Sequence, residues 1–143
     1  MPPKQRKSKP VPPKVLEHVK RCHLWLLMHY PTIWPVHVDW VEELGGDWGQ
    51  CSSEHNASFL IQLAKAGLSG TEVSVDMALD TLMHEWAHAM TMEFLQFGTC
   101  DHHHAAFAVI FNEIGQHWRH GGGKQAAGRI PVICLRGVIQ KEA

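Results

Sequence analysis

The 143-residue sequence predicts a single α+β domain. Three observations predict it: three segments repeat apolar residues at helical spacing, short apolar runs bounded by turn residues read as strands, and the length leaves room for one core. Hydrophobic residues make up 45% and charged residues 19%, with six Trp and five Phe. That is enough apolar material for a core and too little charge for a disordered chain, so collagen-like, coiled-coil and low-complexity classes are excluded.

Residues 1–13 hold five prolines among Lys, Ser and Gln and predict a disordered basic arm, with the folded domain spanning 14–143. From Lys14, the residues Val15, Leu16, Val19, Cys22, Leu26 and Leu27 recur at helical spacing, giving a first helix that Pro31 ends. Trp34, Pro35, Trp40, Gly45, Gly46, Trp48 and Gly49 break residues 32–57 too often for a helix. A short strand near Trp34–Val38 followed by loops is expected there. The apolar run Ser58–Lys65, closed by the Gly67–Gly70 turn, predicts a buried strand. A helix then begins between Thr71 and Val75, with Thr71 and Ser74 as alternative caps and Glu72 and Asp76 suited to its positive end. It is expected to run to about Phe97, before Gly98. A further helix over His102–His120, stopped by Gly121–Gly123, and a closing strand over Arg129–Gln140 complete the reading.

The net charge of -1 conceals an asymmetry. Lys4, Arg6, Lys7, Lys9 and Lys14 stand without an acid, whereas the rest of the chain sets eight basic residues against fourteen acidic ones. The folded part is mildly acidic, so any DNA contact falls to the arm. No apolar run is long enough to span a bilayer and no apolar stretch follows the basic start, which predicts no membrane contact and a cytoplasmic protein, nuclear in a eukaryote. A monomer is expected. Cys22, Cys51, Cys100 and Cys134 contain no CxxC pair, which predicts reduced thiols rather than a disulfide framework or a zinc ribbon. Twelve histidines are the compositional outlier, and His is the commonest protein ligand for zinc.

Among them His84-Glu85-Trp86-Ala87-His88 forms an HExxH sequence within the predicted long helix. Histidines four apart on a helix project from one face, so His84 and His88 can reach one ion. Glu85 is rotated by about 100° from His84 and can stand beside the metal as a base for water. In so His-rich a chain the motif arises by chance with a probability of roughly 0.06. The helix phase argues against chance: Asp80, Thr81, Glu85 and His88 share the polar side with His84, while Val75, Leu79, Leu82, Met83, Trp86, Ala87 and Met90 form the opposite, apolar side.

A catalytic zinc ion needs a third protein ligand and an open position. The metzincin spacing is excluded, because Thr91 and Phe94 occupy the places of its glycine and third histidine. The remaining candidates are Glu113, the cluster His102-His103-His104 and His117. On the following helix His103 shares the apolar stripe of Phe107, Ile110, Phe111, Ile114 and Trp118, with His102 and His104 about 100° to either side and Glu113 off the stripe. That phase aims His103 at the site.

The residues Asp80 to Ala89, followed by His103-His104-Ala105-Ala106-Phe107, resemble the SprT-like zinc metalloprotease domain, in which a histidine four positions before a phenylalanine follows HExxH. The similarity covers about residues 56–118. It implies a zincin-like fold in which the HExxH helix packs with a second ligand-bearing helix and a small sheet. It also implies Zn2+ held by His84, His88 and His103, Glu85 as general base, and protein substrates, DNA-associated proteins among them. Two departures stand out: His103-His104 replaces the usual His-Gly pair, and the four-cysteine ribbon of many members has no counterpart. The expected function is therefore a zinc-dependent endopeptidase. The alternative is a non-catalytic, zinc-stabilised nucleic-acid or protein binding module, in which Cys100 closes a four-ligand site.

Overall fold

The computed structural model describes residues 9–55, 57–91 and 105–122. Helix α1 spans Pro13–His29. Proline fits its first turn because the N–H it lacks has no helical partner there, and the Pro12 carbonyl accepts from the N–H groups of Val15 and Leu16 at 2.9 and 3.1 Å. At the other end the Tyr30 N–H reaches the Leu26 carbonyl at 2.8 Å, and Pro31 follows as expected. Val11, ahead of α1, is also buried. The core-facing stripe of α1 is Val15, Val19, Cys22, Trp25, Leu26 and His29. Leu16 and Leu27, counted toward that stripe from spacing alone, are exposed.

Three strands form one sheet in the order β1-β3-β2, where β1 is Val36–Val41, β2 Gly49–Glu54 and β3 Ser58–Ala64. The central β3 runs parallel to β1, pairing Val36 with Phe59 and Val41 with Ala64. It runs antiparallel to β2, pairing Gly49 with Leu63 and Glu54 with Ser58. The apolar run predicted as a buried strand is β3, and Phe59, Ile61, Leu63 and Ala64 are its buried residues. The strand expected near Trp34–Val38 starts two residues later, at Val36, because Pro35 has no N–H for a ladder; its carbonyl instead accepts from Phe59 at 2.8 Å. The loop expected after it contains β2, whose strand conformation is fixed by its pairing with β3. Gly45 and Gly46, at φ of 63° and 100°, make the turn that leads into β2.

Helix α2 is Val75–Thr91. Of the two alternative caps, Ser74 does the work: its Oγ accepts from the Met77 N–H at 3.2 Å, and its carbonyl accepts from Ala78 at 3.0 Å. The apolar face packs as the phase requires, with Leu79, Leu82, Met83, Trp86 and Ala87 buried and Val75 and Met90 half-buried against the core. Trp86 Nε1 donates to the Tyr30 carbonyl at 2.7 Å, which ties α2 to the end of α1. Helix α3, Ala105–His117, lays Phe107, Ile110, Phe111 and Ile114 toward the core and is followed by a wide helical turn over Trp118–Gly122, where Gly121 adopts φ 146°. Thus α2 is the centre of the molecule, packed on α1, α3 and the sheet. The end of the HExxH helix near Phe97, His102–His104 and the closing strand at 129–140 lie outside the described residues. No described helix is long and apolar enough to cross a membrane.

Candidate metal centre

Helical periodicity places His84 and His88 one turn apart on the half-exposed side of α2. Their Nε2 atoms face each other at 3.1 Å, with ring centroids 4.8 Å apart and planes at 72°. Two nitrogens bound to one tetrahedral zinc stand about 3.3 Å apart, so the pair already has the separation that a shared ion requires. Glu85 Oε1 lies 3.9 Å from His84 Nε2. Among the described residues, His84, Glu85 and His88 form the one group of three whose ligand atoms converge. The donor set fits a divalent, borderline ion.

The surroundings of Glu85 set its chemistry. It is 5% exposed, and its Oε2 is buried without a hydrogen-bond partner. Burial, with a smaller contribution from the charge of Asp47, raises its pKa to about 7. The closeness of β2 causes this burial. A Cβ at Gly49 would stand 3.1 Å from Glu85 Cγ and collide with Thr81 Cγ2, so only glycine lets the strand approach α2 at this point. Cys51, further along β2, is also near: burial and then the charge of Glu85 push its thiol up to about 12.

Helix α3 supplies the opposite wall. Phe107 stacks on His88 at 4.3 Å and 22° and meets His84 edge on at 4.9 Å, while Phe111 meets His84 at 5.1 Å and 82°. A cleft of about 290 Å3 opens over the site between Asp47, Trp48 and Gly49 on one side and Phe111 on the other, with Asp80, Thr81, His84 and Glu85 as its floor. Asp47 and Gly49 escaped the sequence reading, because nothing in their local spacing ties them to HExxH; they reach it through the β2–β3 pairing. Phe107 and Phe111 were legible only as core.

Of the predicted ligands, the structure brings His84 and His88 together with Glu85, and His103 lies outside the described residues. The same holds for His102, His104 and Cys100. Glu113 does not join the converging group. His117 belongs elsewhere, with its Nδ1 3.0 Å from the Tyr30 hydroxyl. No protein-family model matches the chain, and neither the curated proteins nor the solved structures include a match.

Proposed function

We propose that the chain is a zinc-dependent metalloendopeptidase of the SprT-like kind, with His84, His88 and His103 holding the ion. The observation that carries this reading is Glu85: a buried carboxylate with an unpartnered oxygen, set beside two converging imidazoles at the floor of a cleft. A purely structural site has no use for such a group, whose burial is costly. When bound, zinc supplies Lewis acidity toward a carbonyl oxygen and toward water.

The chain's own residues do the remaining work. Glu85, with its pKa near neutrality, takes the proton of the attacking water at a carboxylate oxygen and passes it to the departing amine. Trp48 and Phe111 wall the cleft. Gly49 opens the edge strand β2 and lines the cleft, so a peptide that pairs with this edge in extended form runs past Glu85. The basic arm is the element suited to recruitment near DNA, which favours DNA-associated proteins as substrates.

Metal analysis beside a proteolysis assay tests the reading. Glu85→Gln is expected to keep the ion and lose about 10²- to 10⁴-fold in peptide hydrolysis. Full hydrolysis by that variant would overturn the mechanism. A wild-type protein that binds zinc tightly and cleaves nothing would point instead to a binding module.

A further inference from the structure

A second cleft, of about 410 Å3, lies beside the one over the HExxH pair, between α2 and the turn that follows α3. Leu79, Met83 and Trp118 give it an apolar surface, and Asp76, Asp80 and Arg119 give it charge. Asp80 lines both clefts, so the two meet in one trough along α2. Glu85, 5% exposed with Oε2 unpartnered, lines the first cleft, so the trough already holds a polar atom that calls for a ligand. Among the described residues no ion pair takes up Asp76, Asp80 or Arg119, all three of which are exposed. The start of α2 accounts for Asp76, since a carboxylate in the first turn faces the positive end of the helix. It does not account for Asp80, which stands a turn further on and opposes Asp76 as a like charge. A cation placed between the two removes that repulsion.

We propose that this second cleft is a specificity subsite taking a lysine or arginine side chain of the substrate, a proposal that rests on the peptidase reading. Such a side chain has the two parts for which the cleft offers partners. Its aliphatic stem lies on Leu79 and Met83, and its cationic head meets the carboxylates with the Trp118 indole beside it. An apolar side chain leaves the repulsion between Asp76 and Asp80 in place, and an acidic one meets two carboxylates against a single guanidinium. Asp47, in the first cleft, adds a third carboxylate to the trough. The midpoint between Asp76 and Asp80 lies six residues before His84, which is about 9 Å along the helix axis. An extended peptide advances about 3.3 Å per residue, so the cationic side chain stands two or three residues from the scissile bond.

The test lets the zinc-loaded full chain digest a synthetic peptide library in which lysine, arginine, norleucine and glutamate are equally represented, and maps the cut bonds by mass spectrometry. Lysine and arginine are expected to be enriched about 3- to 10-fold over norleucine at a position two or three residues from the cut, the worth of two partly exposed ion pairs. Asp76→Lys is expected to abolish that enrichment and favour glutamate there. Asp76→Asn, which keeps the shape of the side chain should the first variant not fold, is expected to lower it about 2- to 3-fold. Cleavage without enrichment at those positions, or enrichment untouched by the variants, overturns the subsite and leaves the peptidase reading standing. If nothing is cleaved, that reading falls, and NMR of the Trp118 indole N–H in the same chain decides what the cleft binds. Acetyl-Ala-Ala-Lys-Ala-Ala-amide is then expected to shift the signal at about 3- to 10-fold lower concentration than its norleucine counterpart, and equal or absent shifts overturn the proposal.

Discussion

A carboxylate beside two imidazoles can act as a third ligand or as a base, and at the residue scale its neighbours decide which. Glu85 Oε1 is 3.9 Å from His84 Nε2, and Oε2 has no partner at all. A carboxylate kept in that state costs stability, since its charged form is desolvated and unpaired. Replacing it by the neutral isostere relieves the cost. The metal-free Glu85→Gln protein is therefore expected to unfold, at pH 8, a few degrees above the wild type, corresponding to about 1 kcal/mol. Calorimetry of the two apoproteins checks this; a lower midpoint for the variant would mean that Glu85 is a structural anchor and not a strained functional group.

At the element scale, the site depends on how closely β2 approaches α2. Gly49→Ala places a methyl group against Thr81 Cγ2 and Glu85 Cγ, with the Gln62 carbonyl also 3.4 Å away. The strand must shift outward, at a cost of about 1–3 kcal/mol, and Glu85 gains water. Peptide hydrolysis is expected to fall at least tenfold while zinc content, measured on the same preparation, stays at the wild-type level. Loss of zinc together with activity would place Gly49 in the scaffold of the metal pair instead.

The second element-scale prediction concerns α3. Phe107 stacks on His88, and His103 stands four positions before Phe107 in the sequence. His103→Ala is expected to release most of the zinc in an EDTA titration, whereas His102→Ala and His104→Ala cost at most about 10- to 100-fold in affinity. Equal retention by all three variants would remove His103 from the ligand set.

These elements also mark what could be read from residues alone. The helical stripes of α2 and α3 and the apolar run of β3 bury one face each, and a buried face leaves a period in the sequence. His84, Glu85 and His88 were accessible for that reason. Strand β2 reads Gly-Gln-Cys-Ser-Ser-Glu, an edge strand without apolar alternation, so its existence and the placement of Asp47 and Gly49 follow from pairing with β3. In α1 the spacing admitted two stripes. Trp25 and His29 took the core side and left Leu16 and Leu27 outside, because the wide ring of Trp25 fills the space against Tyr30, His117 and Trp118.

At the scale of the whole molecule, the buried His29 and the half-buried His23 and His117 set how the fold answers to acid. His23, His29 and His117 are each held below the ordinary imidazole pKa, chiefly by burial; a nearby His37 adds to this at His23 and His117 adds to it at His29, while the Val36 backbone opposes it at His23. All three pack on α1 or join it to α2 and α3: His23 meets Trp86 edge on, and His29 and His117 share Trp25. Unfolded, these rings take up protons as the pH drops below about 6.5, whereas the folded chain resists until lower pH. Their contribution to stability is thus complete above about pH 6.5 and is lost as the pH falls below it. Glu85 acts in the opposite sense, since its raised pKa lets the folded chain bind a proton near pH 7 that the unfolded chain does not. The histidine effect is therefore isolated in metal-free Glu85→Gln protein. Its urea midpoint is expected to be lower at pH 5.5 than at pH 7.5, and His29→Phe in that background is expected to reduce the difference by removing one titrating ring. A midpoint that is unchanged or higher at pH 5.5 would show that these rings are protonated or solvated in the folded chain, and that the junction of α1 and α3 is not a neutral, dry contact.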